Sequence, residues 1–311
     1  MNNTILDFEI DLESDYEKKF YRDLEAILLN LHNSIFNLYN IKDVNICFNF
    51  SWLETANASC KLSNDGVYNI QINRGIVNLG LSIIDEYYDV EHPIRVGDTV
   101  FSFETIAIIF VCFIYGHELF HALAGHLKYI KDKRSNGVEP EFEPLEYDAD
   151  NLSVMAVYYF AKQRFGSVLD EYQLKELILI GLFWPIRLLT ENNEYIGSLD
   201  KNTHPDLHVR LYTCIQKVCH LECSSNIDQI DKVKLKENID KLFNPIIDLE
   251  LRYLKHHEID YSDSSLLKYF KMIALKQNGH NVLIEDEILE LDARLILLRI
   301  ELKPFSHLTI I

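Results

Sequence analysis

Residues 105–126 read TIAIIFVCFIYGHELFHALAGH. The apolar run from Ile106 to Tyr115 is well short of the roughly 20 residues needed to cross a bilayer, and a histidine and a glutamate follow it almost at once. So apolar a stretch predicts a buried helix, extending over about 105–131. His117 and His121 are four residues apart, which on a helix stacks them on one face, one turn apart, with Glu118 projecting beside them. Two histidines and a carboxylate are costly to bury without a metal or a complete set of partners. This one segment therefore predicts both the central helix of a core and a site that compensates its polar groups.

Upstream, residues 16–39 carry Phe20, Leu24, Leu28, Leu31, Ile35 and Leu38 at helical intervals. Residues 43–50 then alternate, with Val44, Ile46, Phe48 and Phe50 on one face. A second alternation places Tyr68, Ile70 and Ile72 together beyond the turn-prone Asn64-Asp65-Gly66. A small antiparallel sheet is the simplest expectation. Further helices are predicted near 81–88, from Pro144 onward, and over 170–190, 204–223, 233–256, 264–277 and 285–302, with a loop at 131–143 and a polar break at 224–231. The fold class is α+β and predominantly helical. Its expected organisation is a catalytic unit, 1–225, followed by a helical extension, 226–311, that either stands apart or completes the same domain.

Composition narrows the partners. The 311 residues include 48 Asp and Glu against 30 Lys and Arg, a net charge of −18 that repels phosphate backbones and anionic lipid, so nucleic acid is not expected as a partner. The cysteines, Cys47, Cys60, Cys112, Cys214, Cys219 and Cys223, are too scattered for a secreted disulfide scaffold. Cys214, Cys219 and Cys223 with His220 lack the tight pairs typical of structural zinc. No basic stretch followed by an apolar one opens the chain, and a cytoplasmic protein without a membrane span is expected.

A catalytic zinc site needs a third protein ligand and an open position for water. His126 lies five residues beyond His121, about 140 degrees round an ideal helix, which places it behind the site or in helix packing rather than on the metal. Glu146 is the better third ligand. It opens the next helix just after Pro144, and Asp150, four residues on, shares its face and can accept the free ring N–H of a ligating histidine. Glu139, Glu141 and Glu143 are expected only to complement the dipole of that helix. In Thr203-His204-Pro205, followed by Arg210, His204 is a candidate donor to an oxyanion, and Arg210 a candidate partner for Asp150.

His117-Glu118-Leu119-Phe120-His121, Glu146-Tyr147-Asp148-Ala149-Asp150 and Thr203-His204-Pro205 with Arg210, in that order, resemble the gluzincin metallopeptidases, in particular the HtpX and CAAX-endopeptidase group. The chain lacks that group's transmembrane helices. In this it looks more like the soluble phage-exclusion (Lit-like) peptidase family, as it does in the extended segment to Gly125-His126 and in its helical C-terminal portion. The resemblance implies a zincin-like catalytic unit with one zinc ion and a protein or peptide substrate. The expected chemistry has His117, His121 and Glu146 holding Zn2+ while Glu118 takes a proton from water and passes it to the leaving amine. An extended substrate is expected to pair with a sheet edge, most naturally along residues 68–73. Two other readings stay open: an inactive zincin-like binding protein, and a zinc hydrolase of another amide or ester.

Overall fold

The computed structural model describes residues 14–88, 93–192, 206–221, 232–277 and 285–308. The first helix, α1 (Asp15–Leu38), starts at a capping box in which the Ser14 hydroxyl accepts from the Glu17 N–H and the Glu17 carboxylate accepts from the Ser14 N–H. Phe20, Leu24, Leu28, Leu31 and Ile35 enter the core as their spacing predicts, while Leu38, at the end of the stripe, is exposed.

Three strands follow: β1 (Ile46–Ser51), β2 (Ala58–Leu62) and β3 (Tyr68–Asn73), in the spatial order β1-β3-β2. The two alternating segments do pair, Ile46 opposite Tyr68 and Phe50 opposite Ile72, but in parallel. The expected antiparallel pairing is corrected by β2, which the Asn64-Asp65-Gly66 turn joins to β3 in the antiparallel sense. Gly66 takes the positive φ of +83° that this turn requires. The sheet is therefore mixed. A second correction concerns residues 68–73, which form the central strand with neighbours on both sides, so the edge on this side of the sheet is β2.

Helix α2 (Arg74–Tyr87) and a short hairpin of β4 (Ile94–Val96) and β5 (Thr99–Phe101) lead into α3 (Phe103–Leu123). Among the described residues, 104–123 is the one helix long and apolar enough to cross a membrane, and 89% of its apolar window is buried inside the protein. It is the core helix: α2, β2, α5 (Glu143–Phe165) and α6 (Glu171–Asn192) all pack on it. The expected single helix over 105–131 is broken. Gly125, at φ +87°, turns the chain between α3 and α4 (His126–Ser135), which resets the direction of every side chain from His126 onward.

Contact between α3 and α5 is close because Gly116 faces Ser153. A Cβ at position 116 would lie 2.6 Å from the Ser153 Oγ, which donates to the Phe113 carbonyl at 2.7 Å. The remaining helices are α7 (Leu207–His220), α8 (Lys232–His256), α9 (Ser265–Gln277) and α10 (Glu285–Leu302). Helix α7 packs on α5 and α6, and α10 packs on α5. The polar break expected at 224–231 lies outside the described residues.

Candidate metal centre

His117 and His121 lie on the last turns of α3, each 8% exposed, and Glu146 sits in the first turn of α5 across from them. The Nε2 atoms of the two histidines are 3.0 Å apart. Glu146 brings Oε2 to 3.0 Å from His117 Nε2 and Oε1 to 3.4 Å from His121 Nε2. A tetrahedral ion bonded at about 2.0–2.1 Å has ligand atoms about 3.3 Å apart, and the Nε2–Nε2 separation and each nitrogen's distance to its nearer Glu146 oxygen are all of that size. Among the described residues, His117, His121 and Glu146 are the group of histidine, cysteine and acidic side chains that can hold a metal ion.

The surroundings fix which nitrogen faces that point. His117 Nδ1 is 2.9 Å from Asp150 Oδ1, and Arg210 grips the same carboxylate through Nε at 2.7 Å and Nη2 at 2.9 Å. Burial alone would raise the Asp150 pKa, but Arg210 and then His117 hold it well below the usual carboxylate range. An ionised Asp150 only accepts, so His117 Nδ1 carries a proton and its other nitrogen turns to the shared point. With a carboxylate at each nitrogen, the metal-free His117 ring favours its charged form. Burial opposes this, but hydrogen bonds and charge from Asp150 and Glu146 raise its pKa to about 10. The cluster thus calls for a positive charge between the two Nε2 atoms, which is the physical test a bound cation meets.

Glu118 is half-buried and has no side-chain hydrogen bond among the described residues. Its charge reaches Cys60, in the middle of β2. Burial, followed by that charge, holds the Cys60 thiol far above its ordinary pKa. The general-base candidate therefore lies near β2, the strand that packs on α3.

His126 is fully buried, with Nδ1 at 2.9 Å from His121 Nδ1 and Nε2 at 3.3 Å from Asp148 Oδ2. It thus adjoins the His121 nitrogen that points away from Glu146. This position comes from the break at Gly125 and not from the phase of a continuous helix, on which the expectation for His126 rests. Asp148 is the residue sequence reasoning missed within its own motif. It is buried against Arg299 of α10, whose Nε and Nη2 donate to Oδ1 at 3.1 and 2.6 Å. No spacing rule pointed to a partner on the last helix.

Other expectations resolve more simply. Glu139 pairs with Arg134, and Glu141 and Glu143 pair with Arg294, so ion pairs correct the reading that they serve only the helix dipole. Cys214 and Cys219 are buried and form no disulfide among the described residues, whereas Cys223 lies outside them. Thr203, His204 and Pro205 lie outside them too; the described helix α7 begins after Asp206 and carries Arg210.

No curated protein and no solved structure matches the chain. Residues 88–230, the segment that contains His117, Glu118, His121, Glu146, Asp150 and Arg210, match the family model Peptidase U49, which supports a peptidase and hence a hydrolase.

Proposed function

We propose that the chain is a zinc-dependent endopeptidase, with His117, His121 and Glu146 as ligands and Glu118 as the general base and acid. The observation that carries this reading is the convergence of two imidazole Nε2 atoms and one carboxylate within 3.4 Å of one another, a set of donors suited to one ion. A zinc ion there supplies a Lewis acid that lowers the pKa of a water and polarises a peptide carbonyl.

The chain's own residues supply the rest. Glu118, next to His117 on α3 and without a competing hydrogen bond among the described residues, takes the proton of the attacking water and hands it to the leaving amine. Asp150, clamped by Arg210, orients His117. His204, which precedes α7 in sequence, is proposed as the donor to the oxyanion that develops on the carbonyl. The substrate is protein or peptide, and the strand that receives it is β2. Asn57 accepts from the Asn73 N–H and Ser63 donates to the Val67 carbonyl, so odd-numbered β2 residues bond to β3. The main-chain groups of Ala58, Cys60 and Leu62 turn outward, towards the side on which a substrate strand would add.

The decisive experiment compares the wild type with Glu118→Gln for zinc content and for cleavage of proteins in a cell extract. Equal, stoichiometric zinc with cleavage lost only in the variant is the expected result. A wild type without stoichiometric metal overturns the proposal, and cleavage by the variant at the wild-type rate removes Glu118 from the chemistry.

A further inference from the structure

The two histidines of the pair are supported differently. His117 Nδ1 meets a carboxylate directly, but His121 Nδ1 meets another imidazole nitrogen, His126 Nδ1, at 2.9 Å. Two lone pairs cannot face each other at that distance, nor can two N–H groups, so one ring donates and the other accepts. The direction is set at the far end of His126. Its Nε2 lies 3.3 Å from Asp148 Oδ2, and the other Asp148 oxygen receives both donors of Arg299. An ionised carboxylate accepts only, so His126 carries its proton on Nε2. The neutral ring then has its lone pair on Nδ1 and accepts from His121 Nδ1–H. That leaves the His121 lone pair on Nε2, facing His117 Nε2 and Glu146.

We infer that Asp148 and Arg299 are positioning residues for His121, acting through His126 to fix its tautomer and ring orientation, as Asp150 and Arg210 act on His117. The inference rests on the proposed reading of His121 as a metal ligand. It also gives the last helix a role in the site. Arg299 comes from α10, and the segment after α10 closes over the end of α3, where the His307 N–H donates to the Leu123 carbonyl at 2.7 Å. A Cβ at Gly125 would lie 2.5 Å from the Phe305 carbonyl carbon, so the turn that delivers His126 is shaped to the same segment. Supporting groups from 148 and 299, far apart in sequence, thus meet one ligand through one buried ring.

The relay makes a prediction that a purely structural role does not. Asp148→Asn keeps the shape but presents an amide N–H to His126 Nε2. The His126 proton then moves to Nδ1, His121 becomes the acceptor at Nδ1, and a proton sits on His121 Nε2 where the ion binds. Zinc affinity, measured by competition with a chromophoric chelator, should fall about 10- to 100-fold in Asp148→Asn, and in the same direction in Arg299→Met. Glu141→Gln, at an exposed ion pair, should match the wild type. Wild-type zinc affinity in Asp148→Asn would overturn the inference while leaving the metallopeptidase reading intact; a wild type that binds no zinc would overturn both. Should the variants fail to fold, 15N NMR of histidine-labelled, zinc-loaded wild type decides the question. Protonated Nε2 with bare Nδ1 on His126 supports the relay, and protonated Nδ1 on His126 refutes it.

Discussion

The Nε2 atoms of His117 and His121 face each other at 3.0 Å, with the Glu146 carboxylate bridging them. Without metal this arrangement holds a proton, because Asp150 and Glu146, working against burial, raise the His117 pKa to about 10. An ion that takes the place of that proton must release it. Zinc titrated into metal-free protein at pH 7.5 should therefore liberate one proton from His117, and affinity should rise about tenfold per pH unit up to about pH 10. Calorimetry in two buffers of different ionisation enthalpy measures the release; identical heats would show that no proton is displaced. The sign for the metal-free fold is the opposite. The folded His117 pKa lies above the unfolded one, so its contribution to stability is complete below pH 6.5 and is lost as pH rises towards 10.

Ligand identity is tested by truncation. Glu146→Ala should abolish stoichiometric zinc binding, because it removes one of three donors, while His126→Ala should keep the stoichiometry and weaken the affinity. Metal analysis after gel filtration separates the two, and the reverse order would make His126 the third ligand.

The spacing of helix α5 from α3 can be altered without touching a donor. Gly116→Ala sets a methyl 2.6 Å from the Ser153 Oγ, at a position where Ser153 is pinned to the Phe113 carbonyl. Overpacking of this kind costs about 1–3 kcal/mol. It also pushes the helix bearing Glu146 and Asp150 away from the histidines. We expect a lower Tm together with weaker zinc binding; a lower Tm with unchanged affinity would show that the two helices move independently of the site.

The pH dependence of the metal-free fold at the acid end has a separate source. His32 on α1 is 6% exposed and shares a 2.8 Å hydrogen bond with the Tyr115 hydroxyl on α3. Burial lowers its pKa to about 4. The folded value lies below the unfolded one, so this contribution is fully present above pH 6.5 and is lost as pH falls towards 4, a change on the order of 3 kcal/mol. Urea unfolding at pH 7 and pH 4.5 should show a smaller loss for His32→Gln than for the wild type. Equal losses would assign the acid sensitivity to other groups.

The parts of this molecule that could be read from the chain are those in which partners lie within one helical turn of each other. His117 and His121 declare themselves by a spacing of four, and Glu146 and Asp150 do so again. What could not be read depends on breaks and distant meetings. Strand β2 is Ala-Ser-Cys-Lys-Leu, whose alternation of Ala58, Cys60 and Leu62 with Ser59 and Lys61 is short and carried by small or only partly buried side chains without a β-branched residue; with so weak a signal unread, β3 looked like an edge. The role of His126 depended on Gly125 ending α3, which no helical phase reports. Arg299 meets Asp148 across 151 residues, a separation at which local patterns carry no information.

That hidden strand gives the most direct test of how substrate is held. The N–H of Ala58 turns away from β3, whereas Ser59 lies within the ladder opposite Gln71. Proline is tolerated in a sheet where the lost N–H faces outward at the start of a strand, and it disrupts the ladder elsewhere. Ala58→Pro should therefore keep the Tm within a few degrees and raise KM for an extended peptide, with kcat little changed. Ser59→Pro should lower the Tm. If both variants retain wild-type KM, the substrate does not pair with β2, and the exposed main chain beside Glu118 has another use. If only Ala58→Pro raises KM, the edge of β2 carries the peptide past Glu118, and an extended segment, rather than a folded surface, is what this site receives.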